Sequence, residues 1–253
     1  MFCPYTTHPP SNISHETTPM FQNKITLITG GTSGIGAEVA RQMAQQGSFV
    51  YLNYANNQTR AQEVLDQIQA AGGQAELLQA DVSQIDQVVN MFTLIKQQHG
   101  KLDYLVNNAA IDLPQPFESY RIEDWNRLLA VNLTGKFICL QQAIPLLKKA
   151  DHPRVVNLAS RMAEKPYTTK ISAYACAAAG IVMLTKVAAK ELACFGIKVN
   201  TVSPGLTRTP MTEAILTDET IWQKAAHKNP SQRVGLPLDI AHAIMFLLSP
   251  EAD

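Results

Sequence analysis

The residues best suited to acid–base chemistry lie between Ser160 and Ala178. Ser160 follows an apolar, strand-like segment, and Tyr174 lies 14 positions later, near the start of a long helical pattern. Both side chains carry a hydroxyl that can donate or accept a hydrogen bond. An isolated tyrosine titrates near ~10, so proton exchange at neutral pH requires a nearby cation that lowers its pKa. The spacing indicates a polar site, with a packed aromatic side chain as the alternative for Tyr174.

A glycine-rich segment near the N-terminus is typical of a phosphate-binding turn. The run from Thr29 to Gly36 connects a β-branched, apolar stretch to a helical pattern. Glycines let the backbone turn tightly and approach a diphosphate, and the free N–H groups at the start of a helix favour an anion. A tight turn without a ligand is the weaker alternative. The candidate nucleotide contacts in this turn are Gly30, Thr32, Ser33, Gly34, Ile35 and Gly36.

Polar and small residues also follow the second, third and fourth predicted strands, where a ligand crossing the sheet edge would lie. No acid follows the second strand, where one would bind the ribose hydroxyls of NAD, and Arg60 is the nearest cation. We therefore expect NADP or NAD, with a slight preference for NADP. Asp and Asn are also common as turn residues, which is the alternative explanation. The candidate cofactor contacts here are Asn53, Asp81, Val82, Asn108, Ala109 and Ala110.

Strand-like and helical patterns alternate along most of the chain. Short apolar runs predict strands at 25–29, 49–53, 75–80, 102–106, 154–158 and 197–202. Segments with apolar residues three or four positions apart predict the intervening helices, including 122–148 and 173–195. Such alternation produces a parallel sheet with right-handed crossovers. We expect an α/β, doubly wound parallel sheet, the Rossmann fold, in a single domain over residues 21–253.

Composition excludes several other classes of protein. Residues 1–20 contain four prolines and no periodic pattern, so we expect a flexible N-terminal tail. The formal net charge is zero, which gives no electrostatic footprint for nucleic acid or an acidic membrane surface. The sequence contains no HExxH motif and no Cys/His cluster, so we expect no metal site. No apolar run reaches 18 residues and no signal peptide is visible, so we expect no membrane helix and a cytoplasmic protein.

Together these motifs resemble the classical short-chain dehydrogenase/reductase family over residues 24–253. The family's TGxxxGxG is similar to the run from Thr29 to Gly36, and its serine and tyrosine match Ser160 and Tyr174. The number and order of the motifs make the resemblance highly specific. Further matches are Asp81-Val82, Asn132 within VNLTG, the Pro-Gly segment at 200–205 and the run at 233–241.

The resemblance implies an NAD(P)-dependent oxidoreductase that interconverts a ketone and a secondary alcohol by hydride transfer. Tyr174 would exchange a proton with the substrate oxygen, and Ser160 would hold that oxygen. A lysine one helical turn after the tyrosine would lower the tyrosine pKa, and Asn132 would anchor a water that links this lysine to solvent. The resemblance also implies cofactor contacts at Tyr174, Pro204, Gly205, Leu206 and Thr207.

The sequence departs from the family at Ala178, the position of the implied lysine. A general acid–base contribution is typically worth about 10²–10⁴-fold, so we expect activity to be reduced or abolished by a loss of that order. Lys186 is roughly 12 Å further along the helix, at about 1.5 Å per residue, and cannot substitute. Arg161, Lys165 and Lys170 lie between the serine and the tyrosine, but lysines in such loops are usually solvated.

Other functions and interactions stay open at this stage. The alternatives to a dehydrogenase are a non-catalytic dinucleotide-binding scaffold and a lyase or epimerase that uses the two hydroxyls differently. The resemblance implies a small-molecule carbonyl or alcohol substrate, a mobile lid over 206–233, and a homodimer or homotetramer formed through helices 122–148 and 173–195. These helices can instead pack only on their own sheet. No seventh strand is visible before Asp253, so we expect the sheet to lack the family's last strand.

Overall fold

Six short segments form one parallel sheet. The computed structural model describes residues 19–166, 168–213 and 216–253. The strand order is β3-β2-β1-β4-β5-β6, and every neighbouring pair is parallel, which confirms the predicted doubly wound sheet. The predicted strand bounds agree with the observed bounds to within two residues. The strands are β1 (Ile25–Thr29), β2 (Phe49–Tyr54), β3 (Gln74–Gln79), β4 (Tyr104–Asn107), β5 (Arg154–Leu158) and β6 (Lys198–Val202).

Helices cover both faces of this sheet. Buried side chains of α3, α5 and α6 pack on one face, and those of α1, α2 and α9 pack on the other. In the described part of the chain, no seventh strand joins the sheet. The predicted tail at 1–20 lies outside the described residues except for Pro19 and Met20. The helices are α1 (Gly34–Gln45), α2 (Gln58–Ala70), α3 (Ile85–His99), α4 (Ile122–Leu129), α5 (Gly135–Leu147), α6 (Ser172–Leu192), α7 (Pro210–Glu213), α8 (Glu219–Lys228) and α9 (Pro237–Leu248).

The register of the central strands brings their carboxyl ends to one edge. Thr29 of β1 pairs with Asn107 of β4, and Asn107 pairs with Asn157 of β5. The glycine turn after β1, the polar segment after β4 and the serine after β5 therefore begin side by side. The chain order reverses between β1 and β4, and ligands of doubly wound sheets bind at such a reversal.

The predicted continuous helix at 122–148 is interrupted. A π-helical turn, Ala130–Thr134, separates α4 from α5. Gly135 is the first residue after this turn and packs tightly against the segment that follows β3. A Cβ at Gly135 would lie 2.8 Å from Val82 Cγ2. Periodicity could not predict the interruption because its apolar pattern runs through both helices. Turns of this type are frequent at functional sites.

One helix meets the length and composition criteria for crossing a membrane. Residues Ser172–Phe195, which include α6, have a mean hydropathy of 1.5 over their most apolar 18-residue window. This criterion differs from the one behind the expectation of no membrane helix, because the segment is not an uninterrupted apolar run and contains Thr185 and Lys186. Core helices pass the same test, and α6 packs on the sheet through buried Ala188 and Leu192. Its opposite side exposes Met183 and Val187, which leaves the predicted subunit interface a prediction.

Candidate active site

The glycine turn has the shape of an anion cradle. Gly30 and Gly34 have φ values of 61° and 51°, a left-handed conformation that favours glycine. Gly36 lies beneath the turn, where a Cβ would come within 2.3 Å of Gly30 O. Ser33 precedes α1, and its side chain makes no capping hydrogen bond to the first helical turn. The N–H groups at this helix start therefore fit a diphosphate without rearrangement of a cap.

Asn108 fastens the segment after β4 to the glycine turn. Its Nδ2 donates to Thr29 O at 3.1 Å and to Gly30 O at 2.9 Å. Thr29 Oγ1 in return accepts from the backbone N–H groups of Asn108 and Ala109. Asn108 lines the cleft, but its amide nitrogen is committed to the turn. The side chain thus fixes the floor on which a ligand would lie.

Asn53 has a different environment from the one predicted. It is only 1% exposed, and its Nδ2 donates to Leu78 O and Ala80 O of the neighbouring strand region. Its Oδ1 accepts from Gly30 N at 3.3 Å. The side chain supports the glycine turn from below and does not reach the cleft wall. These hydrogen bonds indicate a structural role, and a direct contact of Asn53 to the cofactor stays a prediction.

Asp81 lies at the end of β3, outside the described cleft wall. Its carboxylate accepts from Arg127 at 2.7 Å and from the hydroxyl of Ser83 at 2.7 Å. Burial raises the pKa of Asp81, but the hydrogen bonds from Arg127 and Ser83 outweigh that effect and hold it below its ordinary value. The adjacent Val82 is buried against the start of α5.

A cleft runs from the glycine turn to the Ser160–Tyr174 pair. The space within the cleft and at its open mouth amounts to about 970 Å³. Several predicted residues lie outside its wall: Thr32, Gly36, Asn53, Asp81, Val82 and Leu206. The predicted cofactor contacts that do line it are Gly30, Ser33, Gly34, Ile35, Asn108, Ala109, Ala110, Tyr174, Pro204, Gly205 and Thr207.

All four predicted catalytic positions line this same cleft: Asn132, Ser160, Tyr174 and Ala178. Ser160 follows β5, and its Oγ accepts from Met162 N at 3.2 Å. That contact occupies an acceptor site and leaves the hydroxyl hydrogen to donate. Tyr174 is half-buried in the first turn of α6 and packs against the small apolar cluster around Leu128. The two hydroxyl-bearing residues thus share one wall, as their spacing predicted.

Asn132 in the π-helical turn is clamped to the segment after β4. Its Nδ2 donates to Ile111 O and its Oδ1 accepts from Ile111 N, both at 2.8 Å. The residue is 3% exposed. Both polar ends of the amide are therefore satisfied by one backbone unit. This clamp holds the Asn108–Ile111 segment against the turn from which α5 starts.

Among the described residues, neither position 178 nor the loop before Tyr174 places a lysine or arginine in the cleft wall. Ala178 is buried in the cleft wall and ends at its methyl group. Arg161, Lys165 and Lys170 are exposed, and none of them lines the described cleft wall. Lys186 is exposed further along α6.

A lysine that the sequence analysis did not select lies in the cleft wall. Lys136, in the first turn of α5, is 2% exposed, and its Nζ donates to Asn107 O and Ala109 O at 2.9 Å each. Burial lowers the pKa of Lys136 to about 7. The feature of the sequence that could have identified Lys136 is the presence of a charged residue within the largely apolar run from Val131 to Leu140. The sequence pattern of that run instead predicts a subunit interface or packing on the sheet.

The segment after β6 also contributes to the wall. Thr209, Pro210, Met211 and Thr212 line the cleft beside Thr207, although the sequence did not single them out. The ends of the predicted lid are joined, since Arg208 N donates to Gly235 O at 2.9 Å and Gly235 N donates to Leu206 O at 3.0 Å. Within the described part of this lid, α7 lies over the glycine turn, with Thr209 Cβ 3.2 Å from the position of a Cβ at Gly34.

Comparisons with known proteins agree with this architecture. The sequence profile described as short chain dehydrogenase matches residues 24–220. The 3-oxoacyl-(acyl-carrier-protein) reductase FabG of Staphylococcus aureus is 36% identical over 233 residues, covering 92% of this chain and 94% of the relative. The 2,5-dichloro-2,5-cyclohexadiene-1,4-diol dehydrogenase LinX of Sphingobium indicum is 35% identical over 229 residues, covering 90% of each chain.

Solved structures extend the comparison. A dehydrogenase/reductase from Sinorhizobium meliloti superposes with a TM-score of 0.87 at 33% identity, covering 93% of this chain and 92% of the other. An actinorhodin polyketide ketoreductase variant with NADPH superposes with a TM-score of 0.85 at 28% identity, covering 91% and 92%. With the profile match over most of its length and relatives above 30% identity, the chain belongs to the short-chain dehydrogenase/reductase family of oxidoreductases.

Proposed function

We propose that this protein is an NAD(P)-dependent oxidoreductase that interconverts a ketone and a secondary alcohol. One observation carries the proposal: Ser160, Tyr174 and Asn132 share a single cleft with the glycine turn that fits a diphosphate. A ligand that spans this cleft would have its phosphates at the start of α1 and its reactive end beside the two hydroxyls.

The roles of the residues follow from their chemistry. A bound nicotinamide dinucleotide supplies or accepts the hydride. Ser160 donates its hydroxyl hydrogen to the substrate oxygen and orients it. Tyr174 gives a proton to that oxygen during reduction and takes one during oxidation. The buried clamp at Asn132 keeps the wall behind the reacting atoms fixed.

The charges around the second strand support NADP as the preferred dinucleotide. No acid lies between Asn53 and Arg60 at the end of β2, and Arg60 is exposed in the first turn of α2. A carboxylate there would repel a 2′-phosphate, whereas a guanidinium attracts it. The NADPH-bound ketoreductase with a similar fold is consistent with this preference.

The proposed substrate is a small molecule with one reactive carbonyl or alcohol group. The reductase and diol dehydrogenase relatives act on chemically different compounds by their names, and both compound types fit the same proton and hydride steps. The exposed apolar residues Phe137, Met183 and Val187 support a homodimer or homotetramer.

Fluorescence titration with NADPH and NADH, followed by turnover of a panel of ketones and secondary alcohols, tests the proposal. We expect binding of at least one dinucleotide, tighter for NADPH, and turnover that Tyr174→Phe lowers by about 10²–10⁴-fold. The control is Tyr104→Phe, because Tyr104 begins β4, at the end of the strand away from the cleft, and lies outside the described cleft wall. Failure to bind either dinucleotide would contradict the proposal.

A second candidate is a dinucleotide-binding scaffold without catalysis. The observation that favours it is Ala178, which supplies no ammonium to Tyr174 from α6. Under this alternative the dinucleotide binds, but no substrate in the panel is turned over and Tyr174→Phe changes nothing. The same titration and panel therefore separate the two candidates.

A further inference from the structure

Lys136 is placed beside the proposed reaction site by α5. It lies one helical turn after Asn132, and both residues line the cleft with Tyr174 and Ala178. Among the described residues of the cleft wall, Lys136 is the one lysine or arginine. The inference below rests on the proposed function, because it concerns the proton that Tyr174 exchanges.

The surroundings of Lys136 are unusual for a purely structural lysine. The side chain is 2% exposed, and no carboxylate among the described residues pairs with it. Its two recorded partners are the carbonyl oxygens of Asn107 and Ala109, whereas an ammonium has three N–H donors. Burying a charge without a counter-ion is costly, so an apolar residue would be the stabilising choice here. Among the described residues, two of the three donors therefore have hydrogen-bond partners.

Close packing brings α6 towards the turn that precedes Lys136. A Cβ at Gly180 would lie 2.8 Å from Leu133 Cδ2, so the helix backbone approaches this turn directly. Leu133 and Tyr174 pack against the same three buried residues, Leu128, Ala173 and Ala177. Lys136 follows Leu133 by one turn of α5, which places its side chain on the cleft side of that contact.

The positive charge of Lys136 makes a second lysine at position 178 unfavourable. A lysine at 178 and a lysine at 136 would direct two ammonium groups into one poorly solvated cleft. Like charges at such distances repel and displace a proton from one of them. With alanine at position 178, the described cleft wall holds a single ammonium group, that of Lys136 on α5.

We propose that Lys136 supplies, from α5, the ammonium that activates Tyr174, in place of a lysine at position 178. During reduction, the O–H bond of Tyr174 breaks and a new O–H bond forms on the substrate oxygen, while the carbonyl carbon receives hydride from the dinucleotide. The phenolate left on Tyr174 is stabilised by the positive charge of Lys136. During oxidation, the same phenolate takes the alcohol proton. Lys136 is thus a positioning residue that acts through Tyr174.

Burial by itself disfavours the ammonium of Lys136, so the proposal requires that Lys136 and Tyr174 titrate together. Burial lowers the pKa of Lys136 to about 7, and the neighbouring Cys139 thiol on the same helix has its pKa raised to about 12 by burial. Among the described residues, the carbonyl groups of Asn107 and Ala109 face Lys136 directly, and Tyr174 of α6 lines the same cleft. An amine and a phenol in one cleft titrate as a pair, and in the proposed pair the proton that leaves near neutrality comes from Tyr174 while Lys136 keeps its charge beside the phenolate.

The competing explanation is that Lys136 only satisfies the two carbonyl groups at the end of β4. Asn107 belongs to a buried network, since its Nδ2 donates to Asn157 Oδ1 at 2.9 Å and Asn157 Nδ2 donates to Thr185 Oγ1 at 2.9 Å. A lysine attached to this network contributes to stability without any part in proton transfer. The experiment must therefore separate hydrogen bonding from charge.

Four variants make that separation: Lys136→Met, Lys136→Gln, Ala178→Lys and the double variant Lys136→Met with Ala178→Lys. Glutamine keeps two N–H donors for the carbonyl groups but carries no charge. The matched control is Lys186→Met, which removes an exposed lysine from α6. Thermal unfolding of each variant identifies any that fails to fold.

The first readout is the pH dependence of kcat/KM for alcohol oxidation, which requires the phenolate. We expect the wild-type rate to rise with pH through a limb near neutrality. In Lys136→Met and Lys136→Gln the limb should move towards ~10, the pKa of an isolated tyrosine, with a loss of about 10²–10⁴-fold at pH 7. The double variant should recover at least about tenfold over Lys136→Met, and Lys186→Met should match the wild type.

The second readout is the phenolate absorbance of Tyr174, which needs neither cofactor nor turnover. The difference between each protein and its Tyr174→Phe counterpart isolates one of the seven tyrosines. We expect the Tyr174 midpoint to lie below ~10 in the wild type and to rise when Lys136 is replaced by Met or Gln. An unchanged midpoint and pH limb in both variants would overturn the proposal.

The outcomes also distinguish this inference from the proposed function. A wild type that binds dinucleotide but turns over substrate only as Ala178→Lys would overturn the role of Lys136 and leave the reaction class standing. A wild type that binds no dinucleotide would contradict the proposed function itself.

Discussion

At the scale of single residues, three asparagine side chains in or behind the cleft wall form hydrogen bonds with backbone groups. Asn53 holds the end of β3 and the glycine turn, Asn108 holds the turn from the other side, and Asn132 clamps Ile111. Because each buried amide satisfies two or more backbone groups, loss of one leaves several of them unpaired. The precision of the cleft depends on these supports as much as on the hydroxyls.

Asn53→Ala tests whether Asn53 supports the fold or contacts a ligand directly. We expect a loss of about 1–3 kcal/mol in the free energy of unfolding, because Leu78 O and Ala80 O lose their donor. Urea unfolding measures the loss, and the exposed Asn56→Ala is the control. A stability equal to that of the control, together with a large loss of dinucleotide affinity, would contradict the structural assignment.

At the scale of elements, the π-helical turn explains how one helical pattern serves two purposes. Before the turn, α4 packs beside Tyr174, and after it, α5 directs Lys136 into the cleft. An uninterrupted helix would shift every later side chain around the axis. The turn therefore sets which residue of α5 faces the site.

Asn132→Ala removes the clamp that accompanies this turn. We expect a loss of about 1–3 kcal/mol in unfolding free energy, since Ile111 N–H and C=O both lose their partner. We also expect a lower kcat with a smaller change in dinucleotide affinity, because the glycine turn is held separately by Asn108. The matched control is Asn126→Ala, an exposed residue of α4. Equal stability of the two variants would show that the clamp is not needed.

Sequence patterns predicted the sheet and the hydroxyl pair well, but they did not predict Lys136. Strands and helices were accessible because their apolar periods are local. The Ser160–Tyr174 pair was accessible because both residues lie close to the ends of such elements. Lys136 is functional in our proposal only because a π-helical turn and the close approach of α6 at Gly180 place it there, and both are tertiary features.

At the scale of the whole molecule, burial of Lys136 links stability to pH. The pKa of Lys136 is about 7 in the folded protein, against ~10.4 in an unfolded chain. Between these values the unfolded chain holds a proton that the folded protein has released. The free energy of unfolding therefore rises with pH in this window.

Comparison of wild type with Lys136→Met isolates that effect. We expect the stability of wild type relative to the variant to increase by up to about 1.4 kcal/mol per pH unit between pH 7 and 10, and to be constant at lower pH. Urea unfolding at several pH values measures both curves, with Lys186→Met as the control for an exposed lysine. Parallel curves for wild type and Lys136→Met would show that Lys136 titrates as an ordinary lysine.

The two ends of the predicted lid are held together, and this affects how readily the segment between them can change in sequence and length. Thr207 and Gly235 form an isolated parallel bridge, so the chain leaves the sheet region and returns to it at one point. A segment anchored in this way can change length at little thermodynamic expense, because each doubling of a flexible loop costs only about 0.6 kcal/mol. We therefore expect the segment between these two residues to tolerate changes in length. Grafting the corresponding segment of a relative onto this bridge keeps the hydroxyl pair in place, but it replaces the residues that contact the glycine turn through Thr209.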